Sequence, residues 1–293
     1  MVTQLLLYFY HAMAKKKSSK FSLTRWLMIF NLLAIVIIGI YFKKEIVKYS
    51  LRAYRWYVSR SNRNQFIRSD FPLQYEVHGI DISHYQTAID WENLKSVSIS
   101  GDTIHFKFVF IKATEGTWLE DQLFDEHWEN AKKHNKIRGA YHYLHVNRDI
   151  NKQAYSFINK IKLERGDLPP VIDIEEHKNI SKAKIVKAVK TFAAILEKRY
   201  HTKPIIYSNR NFIEDYLSDD FDGYTFWVAH YFEPEIKIEE VKWKFWQHTD
   251  KASLMTTGSR IDANVYRGSI NDLKKMTLSA QLPSFEKAEK LPK

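Results

Sequence analysis

From Tyr75 onward the chain repeats a pattern that few folds satisfy. Eight short apolar runs alternate with polar stretches, several of them at helical spacing. The runs are Val77–Ser83, Phe106–Ala113, Arg138–Leu144, Val171–Glu175, Pro204–Ser208, Thr225–His230, Lys244–His248 and Ile261–Tyr266. Each has strand length, and near-continuous apolar character is what a strand covered on both faces requires. Between them, Asp121–Asn135 places Phe124, Trp128 and Ala131 on one helical face. Asn151–Lys162 does the same with Ala154, Phe157, Ile158 and Ile161, and Ser181 is positioned to cap a helix over Lys182–Tyr200. Strands alternating with helices indicate an α/β chain with a parallel sheet. Eight of them predict a closed (β/α)8-type barrel. Residues 232–241 are too short and acidic for a full helix, so the barrel is expected to be irregular towards its end. An open doubly wound sheet is disfavoured, because no glycine-rich nucleotide loop follows any strand.

Charge separates this region from what precedes it. Residues 1–70 carry thirteen Lys and Arg against Glu45 and Asp70, which accounts for the whole net charge of +11. The remaining chain is neutral, so it has no footprint for a phosphate backbone, and nucleic acid is not an expected partner. The basic residues flank Trp26–Phe42, seventeen residues without a formal charge, bounded by Trp26, Tyr41 and Phe42. A run of that length reaches across a bilayer core as a helix, and aromatic ends suit the interface. No small-residue cleavage site follows it, which predicts an uncleaved signal anchor. The expected organisation is an n-region at 1–25 (with 1–12 an upstream mis-start if Met13 is the initiator) and a transmembrane anchor at 26–42. A juxtamembrane stalk at 43–74, a barrel at 75–276 and a disordered tail at 277–293 follow. With no Cys there is no disulfide framework, thiolate metal site or cysteine nucleophile.

The sharpest chemical feature is Pro169–Glu176, PPVIDIEE. In a strand, Asp173 and Glu175 share a face while Ile172 and Ile174 take the other. Two neighbouring carboxyls repel, so one keeps a proton near neutrality, giving the acid and ionised partner that glycoside cleavage uses. Both sit at the C-terminal end of their strand, where barrel active sites form. Asp81 ends the first strand and Asp262 lies on the last, so barrel closure brings the two together. Lys112, Glu115 and Tyr141 lie at two further strand ends, and Tyr207, Trp227 and Trp246 at three more. Such aromatic faces suit stacking against sugar rings.

The motifs GIDISHYQ, FVFIKATEGT, GAYHY, PPVIDIE, PIIYSN, FWVAHY, WQHT and IDANVY, in that order, resemble those of the glycoside hydrolase family 25 lysozymes, or muramidases. The resemblance runs from about Val77 to Met276. It implies an irregular β/α barrel and cleavage of the β-1,4 bond between N-acetylmuramic acid and N-acetylglucosamine in peptidoglycan. It further implies Glu175 as general acid/base, with Asp173, Asp81 and Asp262 completing the acidic cluster. Net retention is implied, either through the substrate acetamido group oriented by Asp173 or through an Asp nucleophile. Tyr141, Tyr207, Trp227, Trp246, Lys112 and Glu115 are expected to line the glycan groove. The cell-wall-binding repeats of many such enzymes are absent from this sequence, and the apolar anchor stands in their place. Because peptidoglycan lies beyond the cytoplasmic membrane, the barrel is expected on the extracytoplasmic side, although positive charge on the two flanks of the span nearly balances.

Other chemistries fit less well. No cofactor is expected, and His142 and His145 lack the helical spacing and Glu base of a zinc hydrolase. No Gly-x-Ser-x-Gly elbow is present. Trp91, Trp118 and Trp128 are read as packing residues, and Glu176 as a structural or solvent-facing acid. Two alternatives to a muramidase stay open: an inactive glycan-binding module, and a chitinase-like N-acetylglucosaminidase.

Overall fold

The computed structural model describes residues 27–32 and 71–279, apart from 88, 93, 95–96, 100–101, 177, 232–235, 237–241 and 254–259. The chain divides into two compact units, Met1–Ala53 and Tyr54–Lys293. In the first, residues 27–32 are helical. Among the described residues no helix is long and apolar enough to cross a membrane. The expected n-region, most of the anchor, the stalk before residue 71 and the tail after residue 279 lie outside the described residues.

Among the described residues, the second unit holds eleven strands. They are β1 (Val77–Ile82), β2 (Val97–Ile99), β3 (Asp102–Ile104), β4 (Phe106–Glu115), β5 (Leu119–Glu120), β6 (Ile137–Tyr143), β7 (Val171–Asp173), β8 (Ile205–Asn209), β9 (Thr225–Ala229), β10 (Trp243–Ser253) and β11 (Arg260–Tyr266). The main sheet runs β1-β11-β10-β9-β8-β7-β6-β4-β5, and β1 also pairs with β4. That extra pairing closes every strand of the sheet except the short β5 into an eight-stranded barrel. Its eight strands are the eight apolar runs, with ends shifted by a few residues. Pairing is parallel around most of the wall, but β11 is antiparallel to both β10 and β1. The all-parallel expectation is corrected there. Only six residues separate Ser253 from Arg260, whereas a parallel crossover needs a dozen or more, so the chain must turn straight back. The antiparallel β2–β3 pair was not anticipated either.

Helices α1 (Phe124–Lys133), α2 (Ile150–Lys160) and α3 (Lys182–Tyr200) follow β5, β6 and β7. A short α4 (Arg210–Phe212) passes into a π turn at Ile213–Leu217, and α5 (Ile270–Met276) follows β11. Ser181 caps α3, its side chain accepting the Lys184 N–H as the sequence implies. Asp149 caps α2 in the same way, and each cap satisfies an otherwise orphaned helix donor.

Alternation along the strands divides the core in two. Ile80, Ile111, Ala140, Ile172, Ile206, Val228 and Val265 face outward into a layer shared with Phe157, Val189 and Phe192 of the helices. Val77, Phe108, Phe110, Val171, Ile205, Trp227, Phe245 and Tyr266 fill the interior. Phe110 stacks on Trp227 with centroids 4.2 Å apart, and Phe245 meets Phe108 and Phe110 edge-on. Gly79 and Gly139 make room for this plug. A Cβ at Gly79 would lie 2.5 Å from the Phe108 ring, and one at Gly139 would lie 2.4 Å from the Phe110 ring. On the outer face of β6, Arg138 lies over the Trp128 ring of α1 and forms a buried two-bonded pair with Asp167, at 2.8 and 3.0 Å. Phe71 and Leu278 are also buried in this unit.

Candidate active site

Where the aromatic plug ends, the same inward positions turn polar. Asp81 of β1 and Asp262 of β11 are register partners across the antiparallel seam. The expected meeting of first and last strands therefore occurs, with the two carboxyls hydrogen-bonded to each other. Across the mouth, Asp173 ends β7, and Glu175 lies two residues further on the same face. These carboxyls are hydrogen-bonded too. The expected strand to Glu175 stops at Asp173, although Ile174 N still donates to Tyr207 O at 3.0 Å.

Burial governs the electrostatics. It holds the Asp173 carboxyl well above the usual range, the Glu175 charge pushes in the same direction, and Lys112 offsets part of it. Glu175 is raised as well, chiefly by burial, against the pull of its hydrogen bond to Asp173 and of the Lys112 charge. Burial lifts Asp81 to about 6, while hydrogen bonds from Asn264 and Gln247 hold it down. Asp262 is pushed up to about 9 by burial and then by the charges of Asp81 and Asp250. Each pair titrates as a unit and keeps a proton above the ordinary carboxyl range. The site thus supplies carboxylic acids and carboxylates side by side near neutral pH.

The remaining expected residues divide. Tyr141 stands among the acids, its hydroxyl pushed up by burial and then by Asp81, Asp173 and Asp262. Lys112 donates to Glu115 at 2.6 Å and lies over the Tyr143 ring. Burial opposes the Glu115 charge, but Lys112 and His145 hold that carboxyl below its usual range. Tyr207 faces inward and donates to Gln247 Oε1 at 2.7 Å. Two expectations are corrected. Trp227 is 1% exposed, clamped between Phe110 and Tyr207, and offers no free face to a sugar. Trp246, also 1% exposed, faces the outer layer and donates to His230 O. A bulge between Trp243 and Phe245 shifts the alternation of β10, so that Gln247 takes the inward place.

Several residues were not legible as site residues. Asn264 and Gln247 both donate to Asp81 Oδ2, at 2.7 and 2.8 Å. Their signal is a polar residue at an inward step of an apolar strand. Trp118, expected to pack internally, is 60% exposed; it lies parallel to His145 with Arg148 over its ring. Trp91 and Trp128 are buried, as expected. Glu176 is bonded to His145 and accepts from Val146 N, which gives it a structural role in the rim. His142 lies behind the wall, bonded to Thr114 and Gln153, and burial keeps its pKa near 3.

A closed β/α barrel with paired carboxyls above an apolar plug, at the C-terminal ends of its strands, has the construction of a barrel glycosidase. The sequence profile described as "Glycosyl hydrolases family 25" matches residues 80–256, and the chain belongs to that family. The YegX protein of Escherichia coli (strain K12) is 36% identical over 203 residues, covering 69% of this chain and 74% of its own. Lysozyme M1 of Streptomyces globisporus is 29% identical over 209 residues, 66% of this chain and 68% of its own. A family 25 glycosyl hydrolase from Bacillus anthracis superposes with a TM-score of 0.62 at 30% identity, over 74% of this chain and 99% of that one.

Proposed function

We propose that this glycosidase is a membrane-anchored N-acetylmuramidase. It cleaves the β-1,4 bond between N-acetylmuramic acid and N-acetylglucosamine in peptidoglycan, with Glu175 as the general acid/base. The carrying observation is the hydrogen-bonded Asp173–Glu175 pair with raised proton affinity, opposite a second carboxyl pair. The lysozyme name of the Streptomyces globisporus relative supports the choice of substrate.

Glu175 is the less buried member of its pair. The shared proton, held more tightly by Asp173 in the free site, passes to Glu175 along their hydrogen bond when Asp173 accepts from the substrate. Glu175 then delivers it to the leaving glycosidic oxygen. Inverting enzymes hold a water between carboxyls roughly 6.5–9.5 Å apart, and a hydrogen-bonded pair leaves no such gap. Retention through the substrate acetamido group fits better. Asp173 Oδ1 is buried without a hydrogen-bond partner, an acceptor that an acetamido N–H would satisfy as the carbonyl oxygen closes on the anomeric carbon. Glu175, now ionised, then takes a proton from the incoming water. Lys112 and Tyr141 border the pair, Tyr207 supports Gln247 beneath it, and Glu115 anchors Lys112.

Glu175→Gln tests the assignment. The amide keeps the shape but carries no acidic proton, so turbidity loss of purified peptidoglycan should slow by at least about 10²-fold. The circular dichroism spectrum should not change. Near-normal turnover with that spectrum intact removes Glu175 from the role.

The anchor at 26–42 and an extracytoplasmic barrel belong to the same proposal. They are supported by the uncharged Trp26–Phe42 run and its basic flank at Lys15–Lys17 and Arg25.

A further inference from the structure

The seam between β10, β11 and β1 contains more hydrogen-bonding groups than a pair of carboxyls needs, and one donor-only group among them fixes how an amide is turned. The Trp227 indole N–H is a donor only. It meets Asn264 Oδ1 at 2.7 Å, so the side-chain amide of Asn264 must turn its NH₂ the other way, onto Asp81 Oδ2 at 2.7 Å. Gln247 is held in the same sense. Its Oε1 receives the hydroxyls of Tyr207 at 2.7 Å and Tyr231 at 2.6 Å, and its NH₂ lies 2.8 Å from Asp81 Oδ2 and 3.2 Å from Asp262 Oδ2. Reversing Asn264 would set its NH₂ against the Trp227 N–H and its carbonyl oxygen against Asp81. For Gln247, whose tyrosine partners can donate or accept, reversal would set a carbonyl oxygen against both carboxyls.

Two N–H groups therefore converge on one oxygen of Asp81, which must act as an acceptor. Those two donors, against a single longer contact of 3.2 Å on Asp262 Oδ2, stabilise the Asp81 anion more than that of its register partner and draw the shared proton to Asp262. We infer that Trp227 and Asn264, together with Gln247 and its two tyrosines, are positioning residues that fix the negative charge on Asp81 and the proton on Asp262. None of Trp227, Asn264 or Gln247 has to touch the sugar for this. They set which of two apparently equivalent acids is anionic beneath it. The raised proton affinity of Asp262 relative to Asp81 has the same sense.

Other groups face the pair as well. Glu175, Tyr141 and Tyr231 interact with both Asp81 and Asp262, Asp173 and Tyr207 with Asp81, and Asp250 with Asp262. The carboxylates among them repel charge on either member, and Asp250, which bears on Asp262, adds to the bias the two amides set.

The activity readout rests on the muramidase proposal, whereas a direct titration does not, so both are needed. Trp227→Phe keeps a ring between Phe110 and Tyr207 but removes the N–H, which frees Asn264 to rotate. Asn264→Leu removes the donor itself. Carbon-13 NMR of aspartate-labelled full-length chain, without substrate, should show Asp81 titrating below Asp262 in the wild type. In both variants Asp81 should move up by about one pH unit, the size expected for losing a hydrogen bond to a charged group. The acidic limb of the peptidoglycan pH–rate profile should rise with it, with kcat changed more than KM. Wild-type protein in which Asp262 titrates below Asp81, or variants that fold and leave the Asp81 titration in place, would overturn the inference. An Asp81 that shifts as expected in protein without muramidase activity would preserve the inference and reject the enzymatic proposal instead.

Discussion

At the scale of single residues, the acidic mouth is held against the preference of its own charges, and stability should record that cost. The folded-state pKa of Asp262 is raised to about 9 by burial and then by Asp81 and Asp250. In the unfolded chain the group is an ordinary carboxyl. Between those values the folded state binds the extra proton, so the stability this group contributes is complete below the unfolded pKa and is lost as pH rises towards 9. Asp262→Asn supplies a neutral side chain that still donates to Asp81. Thermal melts from pH 5 to 9 should therefore fall more steeply for the wild type than for the variant. The limiting difference is about 1.4 kcal/mol per pH unit. Parallel curves would show that Asp262 is not the protonated member. The four acids themselves were legible because a two-residue period places Asp173 with Glu175, and barrel closure places Asp81 with Asp262. Trp227 and Trp246 were misplaced because nearness to a strand end does not fix the face, and the β10 bulge is invisible to a period of two.

Among elements, the strands were easier to read than their directions. Each apolar run became a barrel strand because it is covered on both sides, and α3 matches its expected span because Ser181 marks its start. The antiparallel β11 follows from the length of one connection rather than from any residue in the strand. The interior plug also depends on something a composition count hides, namely absent side chains. Gly139→Ala would drive a methyl to 2.4 Å from the Phe110 ring, inside a stack that includes Trp227 and Phe245. Overpacking of this kind typically costs about 1–3 kcal/mol. The urea midpoint should drop accordingly, while far-ultraviolet circular dichroism of the folded protein stays the same. An unchanged midpoint would mean that Phe110 has room to move and that the plug is looser than described.

For the whole molecule, the division of charge separates two tasks. A basic N-terminal seventy residues, rich in Lys and Arg around an uncharged run, suits an anionic membrane surface. The neutral remainder gathers four of its acids, Asp81, Asp173, Glu175 and Asp262, at the mouth of a barrel. If the proposed topology holds, protease added to intact spheroplasts should digest the barrel. A barrel protected until the membrane is broken would reject that orientation, and a muramidase so placed would not reach its polymer. The fold and the acidic cluster follow from local patterns, whereas the membrane arrangement depends on flanking charges that nearly cancel, which is why it needs its own experiment. The central claim is the bond that is cut, and it is tested most directly by mass analysis of the sugars that the full-length protein releases from purified peptidoglycan. The account predicts fragments ending in reducing N-acetylmuramic acid. Fragments ending in reducing N-acetylglucosamine, or no release of glycan at all, would contradict it.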